Sequence, residues 1–258
     1  MKWIGLIAVV LTGALLLSAV GDFPDFGDPK SPANGGVGDF SVSQYYITHT
    51  EQDTKVPNVV TAVLADYRGY DTMFETTVIF IAGIGIIAIL RSHPPGGRRG
   101  PAHPIDATVD GDHQRIIIGI TCRIMIPIIQ IFALYVVAHG HHSPGGGFQG
   151  GVMLGASFIL IGLSRDLQAA LARFSERRFI VLACLGVAIY AGFGLLCLLL
   201  ERNFLDYGVL DGFFHTDPVM ARSHGIFAVE VGVAFTVTAI MFAIYANLSS
   251  KGRLDEGL

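Results

Sequence analysis

Charge is scarce in this sequence. Only 15% of its 258 residues are Asp, Glu, Lys or Arg, against 52% hydrophobic, whereas an ordinary soluble domain carries about 25% charged residues. The mean hydropathy of +0.56 points the same way, so a soluble globule is excluded as the first expectation. The net charge of −4 and the scattered basic residues, not interleaved with aromatics, exclude a nucleic-acid surface. Cysteine is also sparse. Cys122, Cys184 and Cys197 form no C-x-x-C pair, which gives neither a disulfide framework nor a thiolate zinc site and leaves three small buried side chains. The chain lacks a nucleophile–base set, a phosphate loop and a cofactor fingerprint, so no autonomous enzyme, cofactor or metal is expected.

What is present is apolar length. The runs 3–20, 73–90, 117–138, 148–163, 179–200 and 224–247 each approach the ~20 residues that a helix needs to cross hydrocarbon. Lipid offers backbone amides no water, and a helix satisfies them internally. The expected fold is therefore all-α and polytopic, with about six spans. Lys2 before the first run resembles a secretory signal, but the stretch from Trp3 to Val20 is long for one, and a retained helix is expected.

Threading the chain through six spans puts twelve of the 17 Lys and Arg residues on one side, among them Arg123, Arg165, Arg173, Arg177 and Arg178. The positive-inside rule then predicts both termini in the cytoplasm of a cell-membrane protein. The opposite side collects the acids, including Asp66, Asp71 and Glu75, as a solvated face or as a concentrator of cations.

The Pro/Gly-rich stretch 93–112 reads as a cytoplasmic linker. It separates a two-span unit, 1–92, with an outer loop at 21–71, from a four-span unit, 113–258. Residues 21–55 read as irregular, or as ordered only against a partner, and Val59, Val60, Val63, Leu64 and Tyr67 predict a short amphipathic helix over 57–68.

Three polar clusters interrupt the apolar pattern. Asp66, Arg68 and Asp71 suggest an ion-paired turn at a cation entrance or a structural ion pair; Glu75 joins that cluster or closes a capping box with Thr72. His139, His141 and His142 precede Gly145, Gly146, Gly147, Gly150, Gly151 and Gly155. The histidines suit interfacial hydrogen bonding or a proton relay, and their spacing fits no structural zinc pattern. The glycines suit close helix packing and irregular backbone at membrane depth. Glu230 lies inside the last run, near His224. With Ser223 as helix cap it sits about 10 Å below the outer boundary, as a proton or sodium site or as a hydrogen-bonded structural acid. Arg123, near the end of its run, is expected to snorkel.

The runs GHHSPGGGFQGGVMLGASF and HGIFAVEVGVAFTV resemble the B subunit of Mrp-type multisubunit Na+/H+ antiporters, over most of 113–258. NVVTAVLADYRGYDTMFETTVIFIAGIGIIAIL resembles the E subunit of membrane-bound hydrogenases, which is also similar to the C-terminal part of the Mrp A subunit, over about 57–90. Both on one chain departs from the commoner separate proteins. The resemblance implies an accessory component packed beside complex-I-like proton-pumping subunits, in an assembly that exchanges monovalent cations for protons or in a redox-driven relative; a purely structural scaffold subunit is the remaining alternative. It carries Asp66, Arg68, Asp71, Glu75, the 139–151 loop and Glu230 over as the family's polar positions.

Overall fold

The structure is a computed structural model that describes residues 2–35, 41–92 and 109–254. Among these residues every regular element is helical. The chain divides into two compact units, Met1–His49 and Thr50–Leu258. The first holds α1 (Lys2–Val20) and the start of α2 (Val42–Thr54), a helix inside the stretch expected to be irregular. Ser41 explains its beginning: the hydroxyl accepts from the Gln44 amide at 3.3 Å, which satisfies a first-turn donor.

The second unit holds the remaining spans. A short α3 (Val59–Ala62) capped by Asn58 runs into a π-helical turn, Val63–Tyr67, and then into α4 (Gly69–Ser92). The predicted amphipathic segment is thus helical with a change of pitch in its second half. After α5 (Val109–Ala138) come α6 (Gly147–Ser164), the short α7 (Leu167–Arg173) and α8 (Glu176–Leu199). A 3-10 turn at Tyr207–Leu210 and α9 (Asp211–Phe214) lead into α10 (Pro218–Ser249). Among the described residues six helices are long and apolar enough to cross a membrane, one for each predicted run. The linker expectation at 93–112 lies outside the described residues as far as 108; from Val109 the chain is already helix.

α10 is the hub of the second unit. Of its most apolar window 72% is buried, against at most 39% in any other span, and α4, α6 and α8 all pack against it. Lipid gives helices no hydrophobic reason to associate, so close van der Waals contact must hold them. Small residues make the contact possible. A Cβ on Gly151 would meet Ala234, one on Gly186 would meet Gly232 and Thr236, and one on Gly83 would meet Ile240.

The two halves of α10 are packed differently. Around its C-terminal half lie Phe158, Phe174, Phe179 and Phe242, with ring centroids 4.7–6.0 Å apart. At the same end Arg91 of α4 bonds Glu176 of α8 at 2.6 Å and the amide oxygen of fully buried Asn247 of α10. That fork ties three helices at one level, with both groups of a polar pair occupied. The N-terminal half packs instead against Tyr190, Tyr207 and the α3–α4 segment.

Candidate functional site

Glu230 is where the N-terminal half of α10 differs from a plain membrane helix. Asp217 caps α10, its carboxylate accepting from the Met220 amide at 3.1 Å, and Pro218 fits the first turn. The helix therefore starts well before Ser223, the cap expected from sequence, and Glu230 stands about 20 Å along the helix rather than about 10 Å. Its side chain is 9% exposed. The first amide of α6, at Gly147, donates to the carboxyl, so the positive end of an 18-residue helix faces the acid. The second oxygen, Oε2, is buried with no hydrogen-bond partner among the described residues.

The glycines explain how α6 comes so close. A Cβ on Gly147 would overlap the Glu230 carbonyl, and one on Gly146 would stand 2.6 Å from Oε1. Gly146 also holds φ +130°, a conformation that L side chains rarely adopt. The loop before it is tied down by α3. Asn58 donates through its side-chain nitrogen to the carbonyls of Gly140 and Ser143, at 2.8 and 2.9 Å. The Thr61 hydroxyl donates to Gly140, and the His141 carbonyl accepts from the Asn58 amide.

A cavity of about 190 Å³ opens beside Glu230, lined also by Glu75, Thr61, Thr72, Gln149 and Tyr190. Glu75 lies on α4 one turn past Thr72. The capping box expected from these two residues does not form: α4 already begins at Gly69, and the Thr72 hydroxyl donates back to the Leu64 carbonyl at 2.8 Å. The π turn and the start of α4 accept three such side-chain hydroxyl donors. Tyr207 donates to Ala65 at 3.1 Å and Tyr190 to Gly69 at 3.0 Å, beside the Thr72 contact. Burial raises the Tyr207 phenol well above its ordinary pKa, which keeps it a donor.

The expected ion-paired turn divides into two pairs. Asp66 faces inward and takes a bidentate bond from Arg222 of α10, at 2.8 and 2.5 Å, with the guanidinium 5.8 Å from the Tyr67 ring centroid. Burial pushes the Asp66 carboxyl above its usual range, with Arg222 opposing. Arg68 and Asp71 pair with each other at 2.5 Å, both more than half exposed. Arg222 had no signal beyond its charge; its partner lies 156 residues away.

The histidines contribute mostly backbone. His139 stacks on Tyr135, His141 meets Phe227 edge-on and His224 tilts against Phe214; His142 is exposed. These four rings stand outside the cavity lining. Burial, then the neighbouring His142 and His224, lower the His141 pKa, so that ring is neutral near pH 7. No group of three metal-ligating side chains occurs among the described residues.

Six apolar helices, a buried acid and an irregular polar segment define a multi-pass helical membrane protein. Residues 117–243 match the family model of a domain related to the MnhB subunit of Na+/H+ antiporter, and residues 37–100 match that of MbhE, the E subunit of MBH; the chain joins an MnhB-like domain to an MbhE-like segment. It is 28% identical over 134 residues to a probable K(+)/H(+) antiporter A/B subunit of Rhizobium meliloti, covering 46% of this chain and 13% of that one. The fold is similar to a chain of the membrane-bound sulfane sulfur reductase, an archaeal respiratory membrane complex. There the TM-score is 0.58 at 24% identity, over 96% of this chain and 97% of that one. It is similar to about the same degree to a chain of the Mrp complex from Dietzia sp. DQ12-45-1b, with a TM-score of 0.57 at 24% identity, over 94% of this chain and 26% of that one. The chain spans less than half the length of the first curated relatives it matches.

Proposed function

We propose that this chain is an accessory membrane subunit of a multisubunit cation/proton antiporter, and that the Glu230 cavity is a station on its ion path. The observation that carries the reading is the partnerless Oε2 of Glu230 beside a cavity that Glu75 also lines. A lone buried carboxyl costs several kcal/mol unless a proton, a cation or water compensates it. Carboxyl, hydroxyl and amide groups set in a mostly apolar lining, with Val60, Leu64, Phe148, Val229 and Val233 among it, suit a proton or a monovalent cation held at a few fixed oxygens. The antiporter names among its relatives support this choice of complex.

In this reading the chain has no catalytic site of its own, and partner subunits related to the proton pumps of complex I supply the coupling. The basic residues at and beyond the ends of the spans, with Arg91, Arg165 and Arg173, favour cytoplasmic termini. A second reading, a component of a redox-driven ion-pumping complex, is favoured by the likeness to the sulfane sulfur reductase chain. Both readings keep Glu230 as the ion station.

Glu230→Gln keeps the shape of the side chain and removes its charge. Cells whose resistance to sodium depends on the complex should lose it, while the purified complex keeps every subunit. Unchanged resistance with an intact complex would remove Glu230 from the path. Loss of subunits would instead make it a structural acid.

A further inference from the structure

A second cavity, of about 270 Å³, lies at the opposite end of the helices, between α5, α6 and α7. Ile126, Gln130 and Ile161 line it together with three exposed arginines, Arg123 of α5, Arg165 of the α6–α7 turn and Arg173 at the end of α7. Arg123 is not at the edge of its helix. It lies inside the span that begins at Ile117, and Pro127, also in the lining, removes the amide that would bond the Arg123 carbonyl. No Asp or Glu lines the cavity among the described residues. The nearest carboxylate in sequence, Asp166, caps α7 through the Ala169 amide.

Three exposed guanidiniums lining one small space, with no carboxylate beside them among the described residues, raise the local positive potential and attract an anion. The positive-inside rule asks only for basic residues on one side; it gives no reason for three of them to line one cavity with Ile126 and Ile161. We infer that this cavity binds the phosphate of an anionic phospholipid headgroup. Guanidinium forks match phosphate oxygens in pairs, the cavity's depth within a span lets a lipid reach it from the bilayer, and Ile126 and Ile161 accommodate the glycerol and upper acyl carbons. Basic pockets between membrane helices hold lipid headgroups in this way.

The test is native mass spectrometry of the full-length chain in mild detergent, titrated with phosphatidylglycerol. The wild type should retain one tightly held lipid. R123Q, R165Q and R173Q should each weaken retention about fivefold, and the triple variant should lose it. Arg173→Lys should bind less well than wild type, because it keeps the charge without the fork. Circular dichroism identifies variants that have not folded; Arg173, exposed at the end of α7, keeps the test available if the triple variant fails. Phosphatidylcholine retained as tightly as phosphatidylglycerol would overturn the assignment, as would equal retention by wild type and a folded R173Q. Inorganic phosphate that displaces the lipid at equal concentration would assign the cavity to free phosphate.

Discussion

The two halves of α10 solve opposite problems with the same backbone. The C-terminal half is surrounded by phenylalanine rings and fixed by one saturated polar fork, Arg91 with Glu176 and Asn247. The N-terminal half packs in an apolar cluster with Leu205, Leu210 and Tyr207, but it also meets glycine backbone and tyrosine hydroxyls and leaves one acid oxygen beside a cavity. The first arrangement maximises contact and satisfies its polar groups. The second keeps polar groups at depth, which is possible only because neighbouring backbone comes close enough to satisfy most of them. On the proposed function, stability and ion chemistry then occupy separate levels of one helix bundle, a division that experiment can break.

Phe242→Ala should have the largest effect on stability. The ring is fully buried among four aromatic neighbours, and truncation of such a residue costs about 3–5 kcal/mol. Thermal unfolding in detergent should register it, while sodium export per assembled complex stays unchanged. A change in transport per complex would erase the division between the halves.

Asp66→Asn comes next. It leaves the Arg222 guanidinium facing an uncharged amide, at a cost of about 3 kcal/mol for a broken buried pair, and it should destabilise the π turn that lines the Glu230 cavity. Unfolding of the single variants and of Asp66→Asn with Arg222→Gln gives the coupling. A coupling near zero would make the pair incidental.

Arg68→Gln should have the smallest effect, below about 1 kcal/mol, because both partners of the Arg68–Asp71 pair are exposed. An effect as large as that of Asp66→Asn in the assembled complex would mean that a neighbouring protein of the complex buries this pair.

The spans were legible because their cause is local. A run of apolar residues about 20 long has few physical solutions in lipid, and every one of the six sits on a helix. Glu230 was visible for the same reason, as a charge where charge is expensive. Less was legible around it. Asp66, Arg68 and Asp71 are neighbours in sequence, yet a π turn sends Asp66 inward to Arg222 and leaves the other two outside. Glu75 carried a capping signature that the earlier helix start cancels. The histidines attracted attention as titrating groups, whereas the loop's contribution to the site comes through carbonyls held by Asn58 and Thr61. Arg123 read as a snorkelling residue; it is exposed, and the fold adds that it lines a cavity with two other arginines.

The sequence by itself determined the solvent: its hydropathy leaves membrane helices as the way to satisfy the backbone, and it marks the few side chains that are penalised for being there. Only the tertiary structure decided which partner each of those side chains has. Ion pairs, carbonyl–hydroxyl bonds and the approach of Gly147 to Glu230 depend on how distant helices face one another, and no local spacing encodes a contact across 156 residues or a missing Cβ against a backbone on another helix.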